Sequence, residues 1–94
     1  MKQSNIEFLM HMTKDYLEGK SDSYSYGMDF SHEVGFRYNK LVKEDREIAD
    51  FIYRCLVEEG ASLYDVLPEE EFREKIEKEY AYLVEIYNGN VDLL

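Results

Sequence analysis

Between Ile48 and Leu56 the apolar residues stand at intervals that a helix satisfies and a strand does not. Ile48, Phe51, Ile52, Cys55 and Leu56 fall at i, i+3, i+4, i+7 and i+8, which gathers them on one stripe of a 3.6-residue helix. Glu47, Asp50, Arg54 and Glu58 take the opposite face, and Gly60 ends the segment. A chain containing such an element must bury its stripe against others of the same kind, or against a sheet. No segment shows the strict alternation of a half-buried strand, and no hairpin turn is present, so the partners are helices.

Three further segments supply them. Ser4-Asn5-Ile6-Glu7 has the spacing of a capping box, in which serine accepts from an early helix N–H and glutamate reaches back to the cap. Ile6, Leu9, Met10, Thr13 and Leu17 follow at helical spacing. Phe8, Met12 and Tyr16 widen that face, so the first helix is expected to be covered on two sides, with Gly19 as its stop. Residues 20–27 are polar and rich in turn formers, so Tyr24 and Tyr26 are assigned to a connection. A second helix starts between Ser23 and Asp29 and runs to Leu41 on Phe30, Val34, Tyr38 and Leu41. Gly35 within it weakens the helix by about 1 kcal/mol relative to alanine and suggests a close helix approach. Ser62-Leu63-Tyr64-Asp65 fits a capped helical turn. Pro68 suits the first position of a fourth helix, where its missing N–H costs nothing. Glu69, Glu70 and Glu71 suit that helix's positive end. Phe72, Ile76, Tyr80, Leu83 and Tyr87 form the stripe, and Asn88-Gly89 closes the helix ahead of a loose tail. The expected fold is all-α: a single domain forming a compact antiparallel four-helix bundle, with helices over about 4–18, 24–41, 45–59 and 68–88.

Charge is unevenly spread. The net charge of −10 comes from 21 acids and 11 bases. Residues 1–43 hold six of each and cancel; residues 44–74 hold eleven acids against three bases, a net of −8. A nucleic acid or an anionic membrane is repelled by such a surface, whereas a basic protein is steered toward it. A lone cysteine, Cys55, points to a reducing compartment. With no apolar run long enough to span a bilayer and no charged leader with an apolar core, the chain is read as cytoplasmic.

Motifs for chemistry are lacking. His32-Glu33 begins a zinc-protease pattern, but the position one turn on is Phe36 and not a second histidine. Glu7 precedes His11 by four residues, whereas the carboxylate-bridged di-iron bundles need Glu-x-x-His twice. Cys55 lies in an apolar stripe with acidic neighbours, a setting for a structural thiol and not for a nucleophile. No metal, no cofactor and no catalytic activity are expected.

The acids before and after Pro68 differ in meaning. Glu69, Glu70 and Glu71 stabilise a helix start. Glu58 and Glu59 fall in the last turn of a helix, where the dipole disfavours them. If the third and fourth helices are antiparallel neighbours, Glu58, Glu59, Asp65, Glu69 and Glu70 gather at one end of the bundle. A repulsive cluster that the fold does not require is a candidate binding site.

Several segments resemble the bacterial self-protective immunity proteins of the colicin D immunity type. They are Tyr16-Leu17-Glu18-Gly19 with Met28-Asp29-Phe30 after a short link, Ala49-Asp50-Phe51-Ile52-Tyr53, and Leu67-Pro68-Glu69-Glu70-Glu71-Phe72-Arg73, with the likeness covering about residues 6–87. The resemblance implies a small acidic helical bundle that binds a cognate tRNA-cutting ribonuclease toxin and occludes its basic cleft. On that reading the toxin contacts are Glu47, Asp50, Glu58, Glu59, Asp65, Glu69 and Glu70, with Tyr64 as an aromatic anchor. Two alternatives stand beside it. One is a phage-type nucleic-acid mimic that inhibits a DNA-binding protein. The other is a regulatory bundle that homodimerises through the wide apolar face of the first helix, carrying Phe8, Met10, Met12 and Tyr16.

Overall fold

The computed structural model describes residues 4–89; the expected tail after Gly89 lies outside them. Four helical elements follow in order: α1 (Asn5–Leu17), α2 (Ser23–Glu44), α3 (Arg46–Phe51) continued by a π-helical segment (Ile52–Glu58), and α4 (Glu69–Tyr87). A 3₁₀ turn (Ala61–Leu63) lies in the last connection, and the described residues contain no strand. The all-α, four-helix architecture expected from the apolar period is the one observed.

Contacts between helix ends set the directions. The start of α1 meets the end of α2, where Glu44 accepts from the backbone of Asn5 and Ile6. The end of α1 meets the start of α2 through Tyr16 and Ser23, whose hydroxyls lie 2.8 Å apart. Arg73, early in α4, donates to the carbonyls of Tyr16 and Leu17 at the end of α1. Phe51 in α3 stacks on Tyr82, late in α4. Sequential neighbours are therefore antiparallel. One end of the bundle carries the α2–α3 junction and the start of α1; the opposite end carries the α1–α2 and α3–α4 connections.

The local signals explain most boundaries. The Ser4 capping box is complete: Glu7 N–H donates to Ser4 Oγ at 3.1 Å, and Ser4 N–H to Glu7 Oε1 at 3.4 Å. Gly19 and Gly89 take positive φ, +83° and +79°, the left-handed helix ending that glycine adopts without strain. Pro68 is the cap residue of α4 and not its first helical residue, and it is followed by the three glutamates of the first turn. The helix-3 stripe buries Ile48, Phe51, Ile52 and Leu56, with Ala49 beside them.

Four further expectations are corrected. First, the connection expected over residues 20–27 is shorter: α2 takes the earliest of its expected starts, Ser23, where Asp22 caps it by accepting from Ser25 N–H at 2.7 Å, and it runs past Leu41 to Glu44. Tyr26 is thus not a connection residue. It is buried in the core, stacked between Tyr16 and Phe30 and 2.8 Å from Thr13 Oγ1. Second, the close approach belongs to Gly27. A Cβ there would lie 2.3 Å from Tyr64 Cβ, whereas one on Gly35 would meet nothing within 4 Å. Third, Ser62 does not cap a turn; its hydroxyl donates back to Glu58 O at 2.9 Å. Fourth, Tyr87 leaves the α4 stripe, and Ile86 is buried in its place. The wide apolar face of α1 is packed against the rest of the bundle, as its two-sided pattern predicts. Tyr16 is buried, Phe8, Met10 and Met12 pack against the core, and the Arg37 guanidinium covers the Phe8 ring at 3.9 Å.

Candidate functional site

Helix direction divides the eight candidate residues into two groups. Glu47 and Asp50 lie on α3 near the α2–α3 junction. Glu58, Glu59, Tyr64, Asp65, Glu69 and Glu70 flank or occupy the α3–α4 connection at the opposite end. Eleven helical residues separate Glu47 from Glu58, on the order of 15 Å. Between the groups stands Arg54, whose guanidinium donates to Asp50 at 2.8 Å. The side chains of Glu47 and Asp50 instead border a shallow groove of about 600 Å³ with Tyr38, Val42 and Arg46.

At the connection end, Glu58, Glu59, Asp65, Glu69 and Glu70 are all exposed. Among the described residues no Lys or Arg pairs with any of them within 4 Å. Among the described residues their carboxylates take one weak hydrogen bond, from Ser23 Oγ to Glu69 Oε1 at 3.4 Å. Local structure brings them together. The π-helical segment finishes at Glu58, and Gly60 turns the chain with its Cα hydrogen side close to Leu56 O, where a Cβ would sit at 2.7 Å. The 3₁₀ turn then leads through Leu67 to Pro68, whose extended ψ of 150° launches α4. The nearest cation on α4, Arg73, is turned away onto the carbonyl end of α1 and over the Tyr16 ring. It adds a donor to the Leu17 carbonyl and shares the Tyr16 carbonyl with Gly19 N–H at 3.0 Å, so of this acidic group only Glu59 feels a nearby base, the charge of Arg54 on α3.

Tyr64 is not a free anchor. It is half-buried, seated on Gly27, and meets the edge of Tyr24 with ring centroids 5.3 Å apart. Tyr24 is the aromatic presented to solvent here, 63% exposed. Asp15, Glu18 and Asp22 share this end, at the α1–α2 connection. Lys20 bridges the first two at 3.5 and 3.2 Å, and its hydrogen bond to Glu18 and the charge of Asp15 raise its pKa. Asp22 is held below the usual carboxylate range by the Ser25 backbone N–H it caps. These three acids escape a reading by sequence segment because residues 1–43 balance in charge; only the folded connection sets them beside the others.

The remaining titratable groups suit structure better than chemistry. Cys55 is half-buried, and burial first, then Glu79 and Glu59, push its thiol pKa up, away from the thiolate. His11 lines a surface hollow with Lys14, Tyr80 and Tyr87, while His32 is exposed on α2. Among the described residues no three His, Cys, Asp or Glu side chains are grouped as a metal ion requires. No helix among them is long and apolar enough to cross a membrane. Comparison with protein-family models, curated proteins and solved structures finds no match for the chain.

Proposed function

We propose that the connection end binds a basic protein, and that the chain acts as an immunity protein occluding the phosphate-binding cleft of a nuclease toxin. The supporting observation is the group of five exposed acids, Glu58, Glu59, Asp65, Glu69 and Glu70, with no cation within 4 Å among the described residues. Carboxylates so displayed keep their hydrogen-bonding capacity for an arriving guanidinium or ammonium, and charge-assisted bonds of that kind are strong and geometrically selective. The same charge accelerates encounter with a basic partner, which matters when a toxin must be neutralised before it acts. Glu47 and Asp50 belong to a secondary contact at most, since Arg54 already partners Asp50.

Affinity capture from the native cell, eluted by rising salt and read by mass spectrometry, tests this reading. Release of a basic nuclease fragment is the expected result. Alanine at Glu58, Glu59, Glu69 and Glu70 together should then slow association about tenfold or more at low salt and flatten its salt dependence. Capture of a DNA-binding protein instead would favour the nucleic-acid mimic, and an unchanged association rate would remove this surface from the mechanism.

A further inference from the structure

The outward face of α2 is the other surface without a counterpart. Met28, His32, Gly35, Phe36 and Asn39 are all exposed and fall at i, i+4, i+7, i+8 and i+11, one side of the helix. Phe36 is 76% exposed, the highest value among the large apolar side chains described, and Met28 is 46% exposed. Above Gly35 the surface is open to 4 Å. A phenylalanine displayed on a helix, with a methionine two turns away and a glycine next to it, makes a ridge with a notch beside it.

The charges on this helix say what fits. α2 holds three acids (Asp29, Glu33, Glu44) and three bases (Arg37, Lys40, Lys43), so it is neutral while the chain as a whole carries −10. Glu33 and Arg37 pair with each other at 2.9 Å. That leaves exposed Asp29 in the first half against exposed Lys40 and Lys43 in the second. An order of minus then plus along one helix is complementary to itself reversed.

We infer that α2 is a homodimerisation surface, packing antiparallel on α2 of a second copy about a two-fold axis near Val34. In that register Asp29 of each copy meets Lys40 of the other, and Phe36 lies over His32. Gly35 sits beside the axis and lets the helices approach closely. A parallel pairing would oppose Asp29 to Asp29 and Lys40 to Lys40. Such a two-fold interface is isologous, each contact occurring twice. The acidic connection end lies near the start of α2, where Ser23 reaches Glu69. Antiparallel packing therefore sends the two acidic ends to opposite extremes of the dimer, about 33 Å apart along the helix. The strip is roughly 33 Å by 10 Å on each copy, less than the ~1,200 Å² that stable complexes bury in total. The dimer is accordingly weak.

Sedimentation equilibrium from about 10 µM to about 1 mM reads the association directly. The wild-type mass should rise toward twice the monomer value. Phe36→Asp should weaken association by roughly 30-fold, as loss of a central aromatic contact does, and Asp29→Lys or Lys40→Asp by roughly tenfold each. The double variant Asp29→Lys/Lys40→Asp should restore it, because the reversed charges meet again. Circular dichroism checks that each variant folds; all three positions face solvent, and the charge pair carries the test by itself if Phe36→Asp does not fold. A monomer throughout, a dimer indifferent to these changes, or a double variant that stays weak overturns the proposal. None of the five acids proposed to meet the toxin is substituted; Asp29 does line a hollow with Asp15 and Lys20 near that end, so Phe36→Asp and Lys40→Asp, farther along α2, keep this result apart from that of the toxin reading.

Discussion

The two ends of this bundle use the same residue type in opposite ways. At the α2–α3 junction Glu44 closes α1 from outside it. One carboxylate oxygen accepts from Asn5 N–H and Asn5 Nδ2 at 2.9 and 2.7 Å, and the other from Ile6 N–H at 3.1 Å. Arg37 donates to Asn5 Oδ1 at 2.7 Å and pairs with Glu33. Burial would raise the Glu44 pKa, but the Asn5 and Ile6 donors and the Arg37 charge outweigh it and hold the carboxyl below its ordinary 4.5. At the α3–α4 connection, Glu58, Glu59, Asp65, Glu69 and Glu70 face water with no Lys or Arg within 4 Å among the described residues, and only Glu59 feels the charge of Arg54. A carboxylate at the first end ties two helices together, whereas at the second end Glu58 and Glu59 add negative charge to a helix C-terminus and Glu69 and Glu70 act only on the start of their own helix. The lesson is that acid content by itself says nothing about role; the donors around each carboxylate decide it.

The sharpest way to break this contrast is to disturb what positions the acidic end. Gly27→Ala would place a Cβ 2.3 Å from Tyr64 Cβ. Both are main-branch atoms that no rotamer change can move, so urea denaturation should show a loss of about 2–3 kcal/mol. A loss below 0.5 kcal/mol would mean that the connection is not anchored there.

Next in size is Glu44→Gln. It weakens the bonds that satisfy two orphan N–H groups of α1 and should cost about 1 kcal/mol at neutral pH. Because the folded-state pKa is depressed, the Glu44 contribution is complete above the unfolded value and disappears as pH falls through the folded one. Wild type and variant should therefore differ in stability at pH 7 and converge in acid. A difference independent of pH would show that packing, not the carboxylate, closes this end.

The smallest effect has the opposite sign. Glu58→Gln/Glu59→Gln removes two like charges from a helix C-terminus and should stabilise the protein by a few tenths of a kcal/mol at low salt, a gain that salt screens away. Destabilisation by the pair would mean that the acidic end is structural after all, and the contrast between the ends would collapse.

Much of this was legible in the residues and some was not, for identifiable reasons. The capping box at Ser4, the glycine stops at Gly19 and Gly89 and the buried run from Ile48 to Leu56 depend on neighbours within a turn or two, so local spacing reveals them. Tyr24 and Tyr26 lie on a helix although Ser-Asp-Ser-Tyr-Ser-Tyr reads as turn formers, because the same Asp22 that suits a turn also caps α2. The π-helical run over Ile52–Glu58 left no mark in a stripe that reads as ordinary α-helix. For the site, the grouping of Glu58, Glu59, Asp65, Glu69 and Glu70 at one end followed from helix order and direction. Detaching Glu47 and Asp50, seating Tyr64 on Gly27 and adding Asp15, Glu18 and Asp22 required knowing which loops share an end.

The sequence by itself determined four amphipathic helices, their approximate limits and the concentration of negative charge in the middle of the chain, because periodicity, capping and composition are properties of short segments. Only the tertiary structure decided which glycine admits a neighbour, which glutamate closes a distant helix and which acids stand without cations. Each of those depends on atoms that lie far apart in the chain, 37 residues from Gly27 to Tyr64 and 39 from Asn5 to Glu44, and spacing along a sequence carries no information about contacts at that range.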